Sequence, residues 1–299
     1  MALTLAESAK LATDMVRAGV IETIIKEEHV LDELPFIEVV GNNFVYNRLN
    51  AEPTIAFFAV GDTWTESTPT FTQVSVQLKI LGGDADVDNF IHATRVNVQD
   101  VETAVIQQKA KALARKWSDT FINGDTAVDA NAFDGINKIC AGLPAGQTVS
   151  MGTNGATLTL AKLDELIDAV KTKNIALLMS RRSRRTLQGL VRTSGAVLES
   201  RAGNFLEWVQ LYNGVPVFIN DYISDAQTQG TSSDCSTIFC LSLGEPDQGV
   251  VGLTTEDMIQ IQDVGDLESK DAKRHRVKWY SAIAVLSTLS LARLTGVRP

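Results

Sequence analysis

The sequence predicts an α+β protein, with a mixed sub-domain inserted between two parts of a helix-and-sheet scaffold. Three stretches carry that expectation. Residues 97–124 keep a helical period for seven turns, Thr70–Ile80 alternates strictly as a strand does, and the chain beyond residue 125 switches repeatedly between helical and extended patterns before closing in β-rich sequence at 276–295.

The long helix comes first because the other segments read as attachments to its ends. Asn97 suits an N-cap with Asp100 three residues on, and Asn123-Gly124 suits a left-handed C-cap. Val101, Val105, Leu113, Trp117 and Phe121 recur at multiples of four beside Ala104 and Ala112, while Gln107, Gln108, Lys111, Arg115 and Lys116 lie mostly off that stripe. At ~1.5 Å per residue the rod is roughly 37 Å long. It carries nothing catalytic and reads as a strut.

Upstream, Thr4–Glu28 has a capping box (Thr4, Glu7) and an apolar face of Leu11, Met15, Val16, Val20, Ile24 and Ile25, divided at Gly19. Pro35 opens extended chain, and Phe36–Val40, the Gly41-Asn42-Asn43 turn and Phe44–Arg48 are expected to form a hairpin. Thr54–Val60 and Thr70–Ile80, joined by the turn-rich Gly61–Pro69, make a long two-stranded arm with Val74, Val76, Leu78 and Ile80 on one face. An isolated hairpin is marginal in water. Phe57, Phe58, Trp64 and Phe71 therefore need cover, either from the arm's own body or from a neighbouring subunit. Next, Asp84-Ala85-Asp86-Val87-Asp88 begins like a calcium loop, but its sixth position is Asn89 and its twelfth Arg95, so a solvated turn-forming loop is expected.

Past the strut, Asp125–Asp134 and Ala141–Gly155 read as loops, Leu158–Lys171 as an amphipathic helix, Ile175–Met179 as a buried strand, and Arg181–Leu190 as a helix opened by Arg181-Arg182-Ser183-Arg184-Arg185. Val215–Ile219, Ser236–Leu243 and Ile259–Asp263 are strands. Arg276–Thr295 is a long strand or a strand pair, with a helix over Ser281–Arg293 as the competing reading.

Composition narrows the function. A chain of 299 residues with 44% apolar and 21% charged residues is ordinary for a globular protein. A net charge of −9 argues against broad nucleic-acid binding, which draws on Lys and Arg. Cys140, Cys235 and Cys240 are odd in number without a CxxC, and His29, His92 and His275 lie far apart, which opposes a zinc site and a disulfide framework. Met1-Ala2-Leu3 opens no signal peptide, and the longest apolar run, Ala282–Ala292, is broken by serines and a threonine, so no membrane helix is expected. No nucleophile elbow, Walker loop or dinucleotide fingerprint occurs, and no catalytic, cofactor or metal residue is assigned. His275, in Lys273-Arg274-His275-Arg276, reads as part of a solvated basic strand edge. The Arg181–Arg185 cluster could meet phosphate at a helix start, but an acidic chain offers it carboxylates within or between subunits.

Several stretches, weak singly but ordered and spaced together, resemble one family. Leu81-Gly82-Gly83-Asp84 is similar to a glycine-rich return from an extended loop. Phe121-Ile122-Asn123-Gly124-Asp125 with Phe133-Asp134-Gly135-Ile136 is similar to the end of a spine helix, and Leu178-Met179-Ser180-Arg181-Arg182 to a strand-to-helix step. Gly214-Val215-Pro216-Val217, Gly249–Leu253 and the closing Lys278-Trp279-Tyr280 to Leu291-Ala292-Arg293-Leu294 complete the series. Across nearly the whole chain it resembles the bacteriophage major capsid proteins of the Hong Kong 97-like fold, with encapsulin shell proteins as relatives.

The resemblance implies an N-terminal arm over 1–34, a first part of the peripheral (P) domain over 35–48, an extended E-loop hairpin over 49–82, the P-domain spine helix over 83–123, an inserted axial (A) domain over 124–256 and the P-domain C-terminal part over 257–299. It implies a structural, non-enzymatic subunit of a virion, made in the host cytoplasm and associating with itself as hexamers and pentamers around double-stranded DNA held by weak non-specific contact. A separate scaffolding protein, a portal and a decoration protein are the further partners of such shells; no membrane is involved. Only about 30 residues precede Pro35, so a long cleaved assembly domain is not expected, and Lys79 is the arm's only lysine, at its base, so cross-linking is not carried over. Phe57, Phe58, Trp64, Phe71, Arg181, Arg182, Arg184 and Arg185 are the expected subunit-interface residues. The alternatives are an encapsulin-like nanocompartment shell and, in another class, a soluble α+β enzyme.

Overall fold

The computed structural model describes residues 30–95, 101–195, 199–202, 208–256 and 258–298. The helix expected over 4–28 and the Asn97 cap lie outside them. In chain order the elements are α1 (Val30–Glu33), β1 (Phe36–Glu38), β2 (Asn43–Ala51), β3 (Thr70–Gln77), β4 (Lys79–Asp88), α2 (Asn89–Arg95), α3 (Val101–Asn123) and α4 (Ile136–Ala141). There follow β5 (Thr148–Ser150), β6 (Ala156–Thr157), α5 (Leu160–Ala169), β7 (Ile175–Met179), α6 (Arg181–Thr193), β8 (Glu199–Ala202), β9 (Trp208–Tyr212) and β10 (Val215–Ile219). The chain closes with β11 (Gln227–Gln229), β12 (Ser232–Ser242), β13 (Val250–Thr254), β14 (Gln260–Asp266), β15 (Ala272–Val285) and β16 (Leu291–Arg298).

Two sheets organise the body. One has the order β1-β13-β15-β14, with β4 also paired to β15; α3 packs on β4 and β15. The other runs β5-β16-β12-β7-β10-β9-β8, with β6 on β16 and β11 on β12. The helix stripe read from sequence is the side of α3 that is buried: Leu113, Trp117 and Phe121 are all in the core. Trp117 stacks on Phe121 at 5.3 Å and on Trp279 at 5.4 Å, and Phe36 closes on both tryptophans at 5.7 and 5.5 Å. Both indole N–H groups find a hydroxyl, Trp117 donating to Ser281 at 2.8 Å and Trp279 to Thr254 at 3.0 Å. Large rings are thus buried without stranding a donor.

Several expectations are corrected. Phe36–Val40 does not pair with Phe44–Arg48: β1 runs parallel to β13, Phe36 opposite Gly252, and β2 pairs with β3. A Cβ on Gly252 would sit 2.4 Å from the Phe36 ring, so the glycine makes the seat into which the ring drops. Thr70–Ile80 is not one strand. It breaks at Leu78, which donates its N–H to Asn42 O (3.0 Å), and β4 leaves for another sheet with Ile80 exposed. The Asp84–Asp88 segment is no loop but the middle and end of β4, and His275 is buried between β4 and β14 instead of solvated. The segment read as a loop over 141–155 contains β5. By contrast, 276–295 does contribute the expected pair of strands, β15 and β16. Gly124 does end α3, but not in a left-handed cap. The carbonyl of Phe133 would lie 2.3 Å from a Cβ there, so the need is for close approach.

Candidate assembly interface

The ribbon β2–β3 leaves the body and is fixed at its base. The Tyr46 hydroxyl donates to Val285 O at 2.8 Å, Arg48 Nε donates to Leu286 O at 3.0 Å, and Arg48 Nη2 donates to Val285 O and to the Tyr46 hydroxyl. Burial pushes the Tyr46 phenol up from its ordinary value against the pull of Arg48. Lys79 Nζ donates to Ala130 O at 2.9 Å from the strand that follows. A cleft of about 380 Å³, lined by Tyr46, Arg48, Val76, Phe133, Ile283 and Val285, remains between ribbon and body.

Beyond that base the ribbon's large apolar side chains are mostly exposed among the described residues. Residues 52–69 connect the strands without regular structure, stiffened by Ala59 N–H donating to Asp62 Oδ2 (2.6 Å) and Thr54 N–H to Ser67 Oγ (3.0 Å). Phe58 stacks on Trp64 with centroids 4.5 Å apart. Phe57 is fully exposed, Trp64 is 78% and Phe71 65% exposed, and Ile55 and Val60 are equally bare. Of the four arm aromatics singled out from sequence, only Phe58 is half-buried, and its cover is another tip residue.

The arginine cluster divides. Ser180 caps α6, its Oγ accepting from Ser183 N–H at 3.2 Å and donating to Asp225 at 2.6 Å. Arg181 Nε donates to Asp221 at 2.9 Å, and Arg182 Nη2 donates to Asp234 O at 2.8 Å with its Nε 3.4 Å from Asp225. The helix start is therefore occupied by the chain's own acids. Arg184 is half-buried and Arg185 exposed, and neither forms an ion pair with a described residue. Arg192, seven residues after Arg185 and also exposed, belongs with them; sequence reading passed it over because it stands apart from the cluster.

Further charged groups hold β4 to β15. Arg276 grips Asp84 at 2.7 and 3.1 Å, and Arg274 grips Asp86 at 2.6 and 2.8 Å. These hydrogen bonds hold both carboxyls below the usual carboxylate range. Cys140, Cys235 and Cys240 are free and buried, and burial pushes the Cys140 and Cys240 thiols up to about 12, so neither is a nucleophile at neutral pH. Among the described residues, no group of three or more His, Cys, Asp or Glu could hold a metal, and no helix is long and apolar enough to cross a membrane.

This architecture has known counterparts. The SrpI encapsulin of Synechococcus elongatus PCC 7942 superposes with a TM-score of 0.75 at 18% identity, over 100% of this chain and 97% of that one. The capsid of cyanophage A-1(L) gives 0.71 at 13% identity over 99% and 100%, and the capsid of an empty GTA particle gives 0.68 at 14% over 98% of each chain. No curated protein sequence matches. The sequence profile described as Phage capsid family matches residues 11–245. The chain belongs to the phage capsid family and is a structural major capsid protein of the Hong Kong 97-like fold.

Proposed function

We propose that copies of this chain tile an icosahedral shell around the double-stranded DNA of a tailed bacteriophage, grouped as hexamers and pentamers, with the β2–β3 ribbon of each copy clasping the next. The observation that carries this reading is the ribbon's aromatic tip: Phe57, Trp64 and Phe71 stay largely exposed, and among the described residues nothing of the body covers the tip. Contiguous exposed apolar surface of this kind marks an interaction site. Self-association of many copies through weak contacts is enough to close a container.

The layout that goes with this reading is an N-terminal arm over 1–34, P-domain parts over 35–48, 83–123 and 257–299, the E-loop over 49–82 and the A domain over 124–256. A scaffolding protein, a portal and a decoration protein are its further partners, and synthesis is in the host cytoplasm. The subunit is structural, and its buried thiols and ion-paired carboxylates offer no turnover chemistry. The encapsulin reading shares the fold, as the SrpI likeness indicates. Neighbouring terminase and portal genes favour the phage shell, and a neighbouring cargo-enzyme gene favours the compartment.

The test is electron microscopy of the purified full chain beside a variant in which residues 52–69 are replaced by Asn-Gly, a turn that fits the Ala51–Thr70 pairing. Particles tens of nanometres wide are expected from the first and none from the second, with both chains melting alike. Normal particles from the shortened ribbon would remove the clasp from the reading.

A further inference from the structure

The outer face of α6 carries strong charge that the described residues leave partly unanswered. The helix carries five arginines and no acid in a chain whose net charge is −9. At 3.6 residues per turn, Arg181, Arg185 and Arg192 fall within about 40° of one line, spaced about 6 and 10 Å along the helix. Leu187 and Val191 fill the opposite, buried side. Arg181 is tied to Asp221, whereas Arg185 and Arg192 project without a described carboxylate partner. Gly189 stands on the same outer side, and nothing lies within 4 Å of where its Cβ would be. A glycine inside a helix weakens it, and no contact among the described residues asks for one here. It keeps the middle of the arginine row low enough for another backbone to come close.

The complementary surface is on α5. Its exposed side shows Glu165 and Asp168, neighbours on the helix at a spacing of three residues. Glu165 meets only Lys162 of its own helix, at 2.6 Å between side chains that are 39% and 54% exposed, a pairing weak enough to be exchanged. Asp164 is already committed to the Tyr212 hydroxyl at 2.8 Å. The buried sides of α5 and α6 (Leu163 and Leu166; Leu187 and Val191) enter one apolar cluster with Leu177 and Met179, so both helices stand on one face of the larger sheet. That face presents a basic row and an acidic row, each without a full partner among the described residues.

The geometry points to a contact between copies in which Arg185 and Arg192 of α6 meet Glu165 and Asp168 of α5 on a second copy of this chain. It rests on the shell reading and deepens it, assigning an electrostatic seam distinct from the apolar ribbon. Two complementary rows fix register and exclude wrong neighbours, which exposed ion pairs do better than they add affinity. A nucleic-acid backbone is the rival occupant of the arginine row, and the experiment separates the two.

Two full-length variants test this, Arg185→Glu with Arg192→Glu and Glu165→Lys with Asp168→Lys, each checked for an unchanged melting curve and followed by sedimentation and electron microscopy. Each alone is expected to need about tenfold more protein to assemble, or to fail. Carried together in one chain, the four substitutions are expected to restore assembly, because the reversed α6 of every copy then meets the reversed α5 of its neighbour in a ring of any number. Assembly of the Arg185/Arg192 variant at the unaltered concentration overturns the proposal, as does a fourfold variant that melts normally and stays dispersed. Normal particles that have lost bound nucleic acid overturn it in favour of a polyanion. The unaltered chain runs alongside: if it forms only a small oligomer, the shell reading fails and the seam is read from that oligomer's dissociation; if it is monomeric throughout, both fall.

Discussion

Trp117 and Trp64 are the same side chain in opposite circumstances. Trp117 is wholly buried, ringed by Phe36, Phe121, Phe133 and Trp279, with its N–H donated to Ser281. Trp64 is 78% exposed and leans on one ring, Phe58, that is itself part of the ribbon tip. The scaffold spends its aromatics on folding one chain. In the proposed shell, the ribbon's exposed aromatics serve contacts between chains. Substitutions in the two regions should therefore report on different equilibria.

The largest effect expected is at Trp117→Ala, which empties the centre of the scaffold core and strands the Ser281 hydroxyl. Denaturant unfolding should show a loss of about 3–5 kcal/mol. A loss below about 1 kcal/mol would mean that the stack is not what holds the body together.

Asp86→Asn should cost less and should depend on pH. The Arg274 hydrogen bonds depress the folded-state pKa of Asp86, so its stabilisation is complete above the unfolded value of about 4 and is lost as pH falls through the depressed one. Melting temperatures of the unaltered chain should thus exceed those of the variant at pH 7, and the gap should close progressively below about pH 4. A gap that persists unchanged into acid would show that the pair contributes nothing through its charge.

Phe57→Ser with Trp64→Ser should produce the smallest change in the single chain, within about 0.5 kcal/mol by the same unfolding measurement. Assembly should nevertheless be lost. If the monomer were strongly destabilised, the ribbon would belong to the folding core after all, and the contrast with Trp117 would collapse.

How far the sequence could be read follows from how local each feature is. The spine helix was legible because Leu113, Trp117 and Phe121 repeat at intervals of four, and its burial follows from that stripe alone. The parallel pairing of β1 with β13 was not, because it joins Phe36 to Gly252 across the whole inserted region and no local turn residue announces it. Asp84-Ala85-Asp86 looked like a loop for a similar reason. Its partners, Arg276 and Arg274, lie some 190 residues on, although Arg274-His275-Arg276 carries the matching period of two and could have suggested a strand pair. The exposure of Phe57, Trp64 and Phe71 was legible, since an apolar tip between strands is visible in any one sequence. The arginine row on α6 was seen only at its start. Which of those cations are satisfied depends on Asp221, Asp225 and Asp234, and these are brought to the helix by later strands.

The placement of β15 and β16 has one last consequence. Each lies inside its sheet, β15 between β13 or β14 and β4, and β16 between β12 and the β5–β6 edge, so neither sheet has a centre until residues 272–298 are in place. A product cut short before that point by a premature stop codon or a protease therefore cannot present a finished flank to its neighbours. Such copies are expected to fail at the folding step, before they could take a position in the particle and leave a hole in it.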